Sequence, residues 1–336
     1  MTGISDSTNQ IASGIEERTR PVDLFRRHSR EIGLPLIVVL MVVLFSFSSD
    51  VFLSGPNFRN IGVSAAALAA VSFGQTFAVL TAGLDLSVGA TVALVSIVSA
   101  MVMRGYGIIP GVLGAMATGA AVGLVNGVVI TRFKVFPFIA TLAMMSMVSG
   151  LALSLSGGVA VTGVPPAFSD LAYEFMLGVP MPVVIAAAVL MVAFFILRYT
   201  LLGRRIYAVG GNEEAARLSG IDVGRIKIAA YVLSGVCASV GSIILTARVA
   251  SGQPSLGATL PLESVAAVVL GGISLFGGRG SIVGVAFGVF FISILSNGLN
   301  LMNVPSYTQM MLVGFALILA VSLDQRFGSG RGTARR

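Results

Sequence analysis

Six side chains able to donate or accept hydrogen bonds stand within or at the ends of long apolar runs: Gln75, Asp85, Asn126, Asn297, Asn300 and Gln309. An unpaired polar group in such surroundings costs several kcal/mol. Each of these side chains therefore either bonds to a neighbouring segment or lines a wet pathway, and both readings stand. Asp85 has a third, since with Ser87 it can cap a helix that starts near Leu86. Covalent chemistry has little to work with. The single histidine, His28, lies in a polar N-terminal tail, and the single cysteine, Cys237, lies in an apolar run where it reads as a small packed residue. This set supports no disulfide within the chain, no Cys/His zinc site and no Ser-His pair among the apolar runs. The nearest glycine-rich turn, Gly277-Gly278-Arg279-Gly280, is not followed by Lys-Ser/Thr and reads as a tight turn.

A second stretch, 199–227, is polar and carries start and stop signals. Gly210 and Gly211 are expected to break the chain, and Asn212 to cap a short helix. Glu213 and Glu214 put negative charge on its first turn, and Ala215 and Ala216 continue it. Arg217 comes late, Leu218 and Ser219 close it, and Gly220 before Ile221 supplies a left-handed stop. Helical residues over Glu213–Ser219 would make a rod of roughly 10 Å. So short a helix is marginal alone and gains order against a partner.

The elements that carry these residues are set by composition. Of 336 residues, 56% are hydrophobic and 10% charged, against roughly 25% charged in soluble domains. Residues 1–31 hold ten of the 35 charges, which leaves too few to solvate a soluble surface elsewhere. The chain is expected to be all-α and polytopic, since crossing about 30 Å of hydrocarbon takes about 20 apolar residues per helix. Ten spans are read: 33–53, 60–81, 86–103, 108–130, 136–156, 180–198, 228–247, 263–276, 281–301 and 305–323, the eighth short enough to be broken, so that the count ranges from eight to ten. With both termini cytoplasmic, 18 of the 21 Lys and Arg fall inside, and only Arg59, Arg104 and Arg248 outside. The loop at 157–178 then lies outside and 199–227 inside. Residues 1–30 read as a disordered polar tail, 31–324 as the membrane domain and 325–336 as a basic tail. The basic residues punctuate apolar runs and form no nucleic-acid patch.

Small residues recur every fourth position at Gly111, Ala115, Gly119, Gly123 and Gly127, and again at Gly280, Gly284 and Gly288. Such stripes either let helix backbones approach closely or line a substrate path. Two stretches also look alike, Val79–Leu86 and Val269–Leu275, as an internal duplication would.

The run Ala208–Arg225 resembles the cytoplasmic coupling loop of sugar-type ATP-binding-cassette importer permeases, the ribose-permease group. The likeness extends through Tyr231–Gly235, Ala266–Gly280, Ser296–Leu301, Gly83–Gly89 and Phe136–Leu142, covering about 60 to 324, with Phe136 standing where the family pattern usually has a second proline. The resemblance implies a bacterial inner-membrane protein in lipid, paired with a second permease subunit that is an identical copy or a paralogue. Two cytoplasmic ATPase domains, separate from this chain, would bind ATP and Mg, with no cofactor on this chain. An extracytoplasmic solute-binding protein would deliver a monosaccharide or related solute. Residues 211–221 would dock the ATPase, and Gln75, Asp85, Asn126, Asn297 and Asn300 are candidates for the pathway. Branched-chain amino-acid and nucleoside permeases share the superfamily. An ion-coupled transporter would have to use Asp85 or Glu263, both at span ends.

Overall fold

In the apolar runs, which cannot leave backbone polar groups unpaired in lipid, the chain is helical almost throughout. The structure, a computed structural model, describes residues 21–328. Its helices are α1 (Pro21–Ser48), α2 (Gly55–Leu80), α3 (Val88–Tyr106), α4 (Ile108–Arg132), α5 (Pro137–Ser156), α6 (Pro166–Asp170), α7 (Met181–Tyr199), α8 (Leu201–Gly211), α9 (Glu213–Leu218), α10 (Val223–Val249), α11 (Leu260–Leu270), α12 (Ile282–Leu301) and α13 (Ser306–Gly328). One antiparallel hairpin, β1 (Phe175–Met176) and β2 (Val179–Pro180), lies between α6 and α7. The tails read at 1–30 and 325–336 fall largely outside the described residues, and α1 is described from Pro21.

Seven of these helices, α2, α3, α4, α5, α7, α10 and α12, are long and apolar enough to cross a membrane. The spans read at 33–53 and 263–276 correspond to shorter apolar helices, Leu34–Ser48 within α1 and α11. The chain is thus an all-α multi-pass membrane protein. α2 is its central post: 94% of its most apolar window is buried, against 22% for α7. Ser54 starts α2 by accepting from Asn57 N, with Pro56 in the first turn.

The glycine stripe of α4 turns out to be a packing face. A Cβ on Gly119 would strike Gly235 O and Ser239 Oγ of α10, and one on Gly123 would strike Tyr231 O. Gly127 lies against Ile228 Cα, where a Cβ would come within 2.7 Å. α12 repeats the device against α11, with Gly284 facing Gly271 O and Gly288 facing Ala267 O. Without a hydrophobic drive between helices in lipid, such contacts supply dispersion through close backbone approach.

The two similar stretches end their helices alike. Gly83 N donates to Ala78 O (3.1 Å) after α2, and Ile273 N donates to Val268 O (3.2 Å) after α11. The residue before each has positive φ, Ala82 at 59° and Gly272 at 83°. The two ends also touch, since Gly278 N donates to Leu80 O at 2.9 Å.

The polar stretch departs from its sequence reading. It holds two helices, and Gly210 and Gly211 lie inside the first of them, α8, so the break comes at Asn212. The shorter helix, α9, stops at Leu218, one residue before the expected Ser219. Gly210 serves close packing instead: a Cβ there would strike Leu80 O and come within 2.6 Å of Gly278 N. The 157–178 loop and the α8–α9 segment sit at opposite ends of α7, whose 19 residues span about 28 Å.

Candidate functional site

Asn212 is extended at φ −161° and its Oδ1 accepts from Ala215 N at 2.9 Å, so the cap of α9 forms as its chemistry requires. Arg217 pairs with Glu213 (3.3 Å) and Glu214 (3.2 Å), and Lys227 of α10 reaches Glu213 at 2.6 Å. Ser219 Oγ donates to Ala215 O at 2.8 Å. Gly220, at φ 81°, and Ile221 close the helix by donating to Arg217 O and Ala216 O. Only Ala216 of α9 is buried, whereas Leu218 is 81% exposed. The short rod therefore presents an apolar tip flanked by charge, with Gly211 exposed just before it.

This rod is tied to the bundle through α8. Gly203, Ile206 and Val209 form the buried stripe of α8, while Gly210 abuts Leu80 and Gly278. Tyr207 OH donates to Gly280 O at 3.0 Å. Burial pushes the Tyr207 phenol above its usual range, which Arg198 partly opposes, so it stays a donor. α8 thus joins α9 to the end of α2 and to the 271–280 turn. Beneath α9 lies a cavity of about 580 Å³, bounded by Lys134, Phe136, Pro137, Ile221, Asp222 and Lys227 among others.

Three of the polar candidates come together deep in the bundle. Ser87 donates to Asp85 Oδ1 through its hydroxyl (2.6 Å) and backbone N (3.1 Å), and Ser234 Oγ donates to Asp85 Oδ2 (2.8 Å). Asn126 Nδ2 donates to Ser87 Oγ at 2.8 Å and stands 3.5 Å from Asp85 Oδ1. The Gln75 amide, oriented by the partners it faces, donates to Asp85 O (3.1 Å) and accepts from Asp85 N (3.2 Å). Thr141 Oγ1 (3.0 Å) and Tyr231 OH (3.4 Å) both donate to Leu84 O. The 81–87 turn is therefore pinned by α2, α4, α5 and α10 together. Asp85 bonds Ser87, the residue before α3, but no side-chain cap bond enters the first turn of that helix, and with Ser234 and Asn126 the carboxylate serves as a junction instead.

Asn297 and Asn300 lie elsewhere. Asn297 exchanges two amide bonds with Asn57 of α2, at 3.0 and 2.8 Å. Asn300 is exposed and accepts from Gln309 Nε2 at 2.8 Å. Sequence reasoning did not single out Asn57, Thr141 or α8. Asn57 and Thr141 sit beside apolar residues with no local signal, and their partners are distant in the chain. The buried residues of α8 fall every third position, a helical signal that the two glycines at its end mask.

Residues 57–321 match the family described as branched-chain amino acid transport system / permease component. The ribose import permease protein of Bacillus subtilis (strain 168) is 40% identical over 88% of this chain and 93% of its own length. The D-allose transport system permease protein of Escherichia coli (strain K12) is 35% identical over 87% and 91%. The fructose import permease protein of Rhizobium meliloti is 36% identical over 89% and 86%. No solved structure matches the chain. Likeness along most of both chains to sugar permeases, together with the family match over residues 57–321, shows that this chain belongs to the sugar-type group of ATP-binding-cassette importer permeases.

Proposed function

We propose that this chain is the membrane subunit of an ATP-driven importer that carries a monosaccharide or related small polar solute into the cytoplasm by alternating access. The observation that carries the reading is the capped rod α9, with its exposed Leu218 tip, joined through α8 to the end of α2 and the 271–280 turn. A rigid helix tied to the spans by backbone contact can pass a partner's movement to them. In this reading residues 211–221 dock in a cytoplasmic ATPase, which binds ATP and Mg on its own chain. A second permease subunit, identical or paralogous, completes the pathway, and an extracytoplasmic binding protein delivers the cargo across the bacterial inner membrane. Ten membrane segments with cytoplasmic termini fit the charge distribution: Arg59, Arg104 and Arg248 gather at the 157–178 end, while Lys134 and Lys227 gather beside Arg217 at the α9 end.

Gln75, Asp85 and Asn126, with Asn297 and Asn300, are the pathway candidates, the first three buried here and to be exposed in another state of the cycle. The relatives named for ribose, allose and fructose favour a sugar. The family description favours one second reading, a branched-chain amino acid as cargo. The decisive experiment reconstitutes the purified chain in lipid and measures sugar uptake with and without the cognate ATPase, ATP and binding protein. Sugar uptake that requires all of them supports the proposal, and leucine uptake without sugar uptake under the same conditions supports the second reading. Uptake by the chain alone under an ion gradient would overturn both.

A further inference from the structure

The hairpin between α6 and α7 breaks the usual chemistry of its turn. Leu177 (φ 53°) and Gly178 (φ 80°) are both left-handed, as a two-residue hairpin turn requires. Asn or Gly normally fills the first position, and a bulky residue there is strained. Leu177 is nevertheless 95% exposed, and Phe175, Met176 and Val179 beside it are each about half exposed. Four apolar side chains about half exposed or more on a six-residue hairpin are a liability in water. At the boundary of a bilayer they are an anchor.

Behind the hairpin is a cavity of about 480 Å³ with two guanidinium groups in its wall, those of Arg59 at the start of α2 and Arg248 at the end of α10. Arg59 stacks over the Phe175 ring at 4.6 Å and donates to Tyr173 O at 3.1 Å. Arg248 Nη1 donates to Ser64 Oγ at 3.1 Å. Neither forms an ion pair among the described residues, although Asp170 and Glu174 lie in the same loop. Two cations with neutral partners leave most of their donors open to an anion, and the guanidinium fork matches phosphate oxygens. The remaining wall is mainly apolar, with Pro56, Val63 and Ala172. Val51, Leu53 and Phe58 are exposed nearby at this end of the chain.

We propose that Arg59 and Arg248 bind the phosphate of an anionic phospholipid, with the Phe175–Val179 tip seated in the adjoining acyl layer. Free phosphate would satisfy the cations but would leave the apolar wall and tip uncovered. Self-association of this face in a second copy would bring like charges together without a counter-charge. The inference rests on the membrane location and is independent of the cargo.

The test uses the full chain in two readouts. Native mass spectrometry in detergent compares retention of phosphatidylglycerol and phosphatidylcholine by the wild type and by an Arg59→Gln/Arg248→Gln double variant. At least tenfold preference for phosphatidylglycerol, lost in the double variant, is expected. Equal retention of the two lipids, or an unchanged preference in the variant, overturns the proposal, and so does a preference erased by millimolar inorganic phosphate. The second readout exploits a chain with no tryptophan. Leu177→Trp, in vesicles containing brominated lipid, should lose at least half its fluorescence even if the double variant fails to fold. An unquenched signal assigns the tip to a protein partner, an acidic lobe of a binding protein included, and overturns the lipid site.

Discussion

Removing the Asp85 carboxylate would strand the hydroxyls of Ser87 and Ser234 and the Ser87 backbone N–H in a buried site. Each stranded buried group costs about 1–3 kcal/mol. Asp85→Leu should therefore lower the thermal unfolding midpoint in detergent by many degrees, whereas Asp85→Asn, which keeps an acceptor, should lower it less. If Asp85→Leu melts with the wild type, the cluster does not hold the 81–87 turn. Asn297→Cys and Asn300→Cys, with Cys237 replaced, address the pathway reading. Labelling of both by a water-soluble thiol reagent during turnover is expected. Protection of Asn297→Cys throughout the cycle would leave that residue only its pairing with Asn57. At this scale the sequence exposed residue types well and partners poorly. Asn212 and Gly220 could be read because a cap and a left-handed stop are local chemistry. Gly210 was misread because its reason lies in Leu80 and Gly278, which only the folded chain brings to it.

The elements divide along the same line. The apolar runs appear as helices close to where hydropathy put them, since 20-residue apolar segments have few other options in lipid. α11 is only 11 residues long, about 16 Å, which fits the short eighth run. The α4–α10 contact allows a sharp test. Gly123→Leu would force the two backbones apart where a Cβ already meets Tyr231 O, and overpacking of this kind costs about 1–3 kcal/mol or more. Loss of monodisperse protein is expected, while Gly150→Leu, with open space around its Cβ position, should behave as wild type. For α9, Leu218→Asp should weaken capture of the ATPase at least tenfold without altering the permease's elution profile. Ala216 is the wrong probe for that purpose, because it is buried under the rod. Undiminished capture by Leu218→Asp would remove the docking assignment.

For the whole molecule, the two loops that the charge balance assigns to opposite sides flank α7, which makes the layout open to test. A cytoplasm-active reporter fused at residue 165 should be silent, and one fused within 199–227 active; the reverse pattern would invert the layout. The join among Leu80, Gly210 and Gly278 is made of main-chain atoms alone. Such a joint carries no side chain that could be tuned to a cargo. A re-engineered importer could therefore change its solute by substitutions along the spans or by exchange of its delivery protein. The coupling proposed above would stay intact so long as Gly210 and Gly278 admit no Cβ.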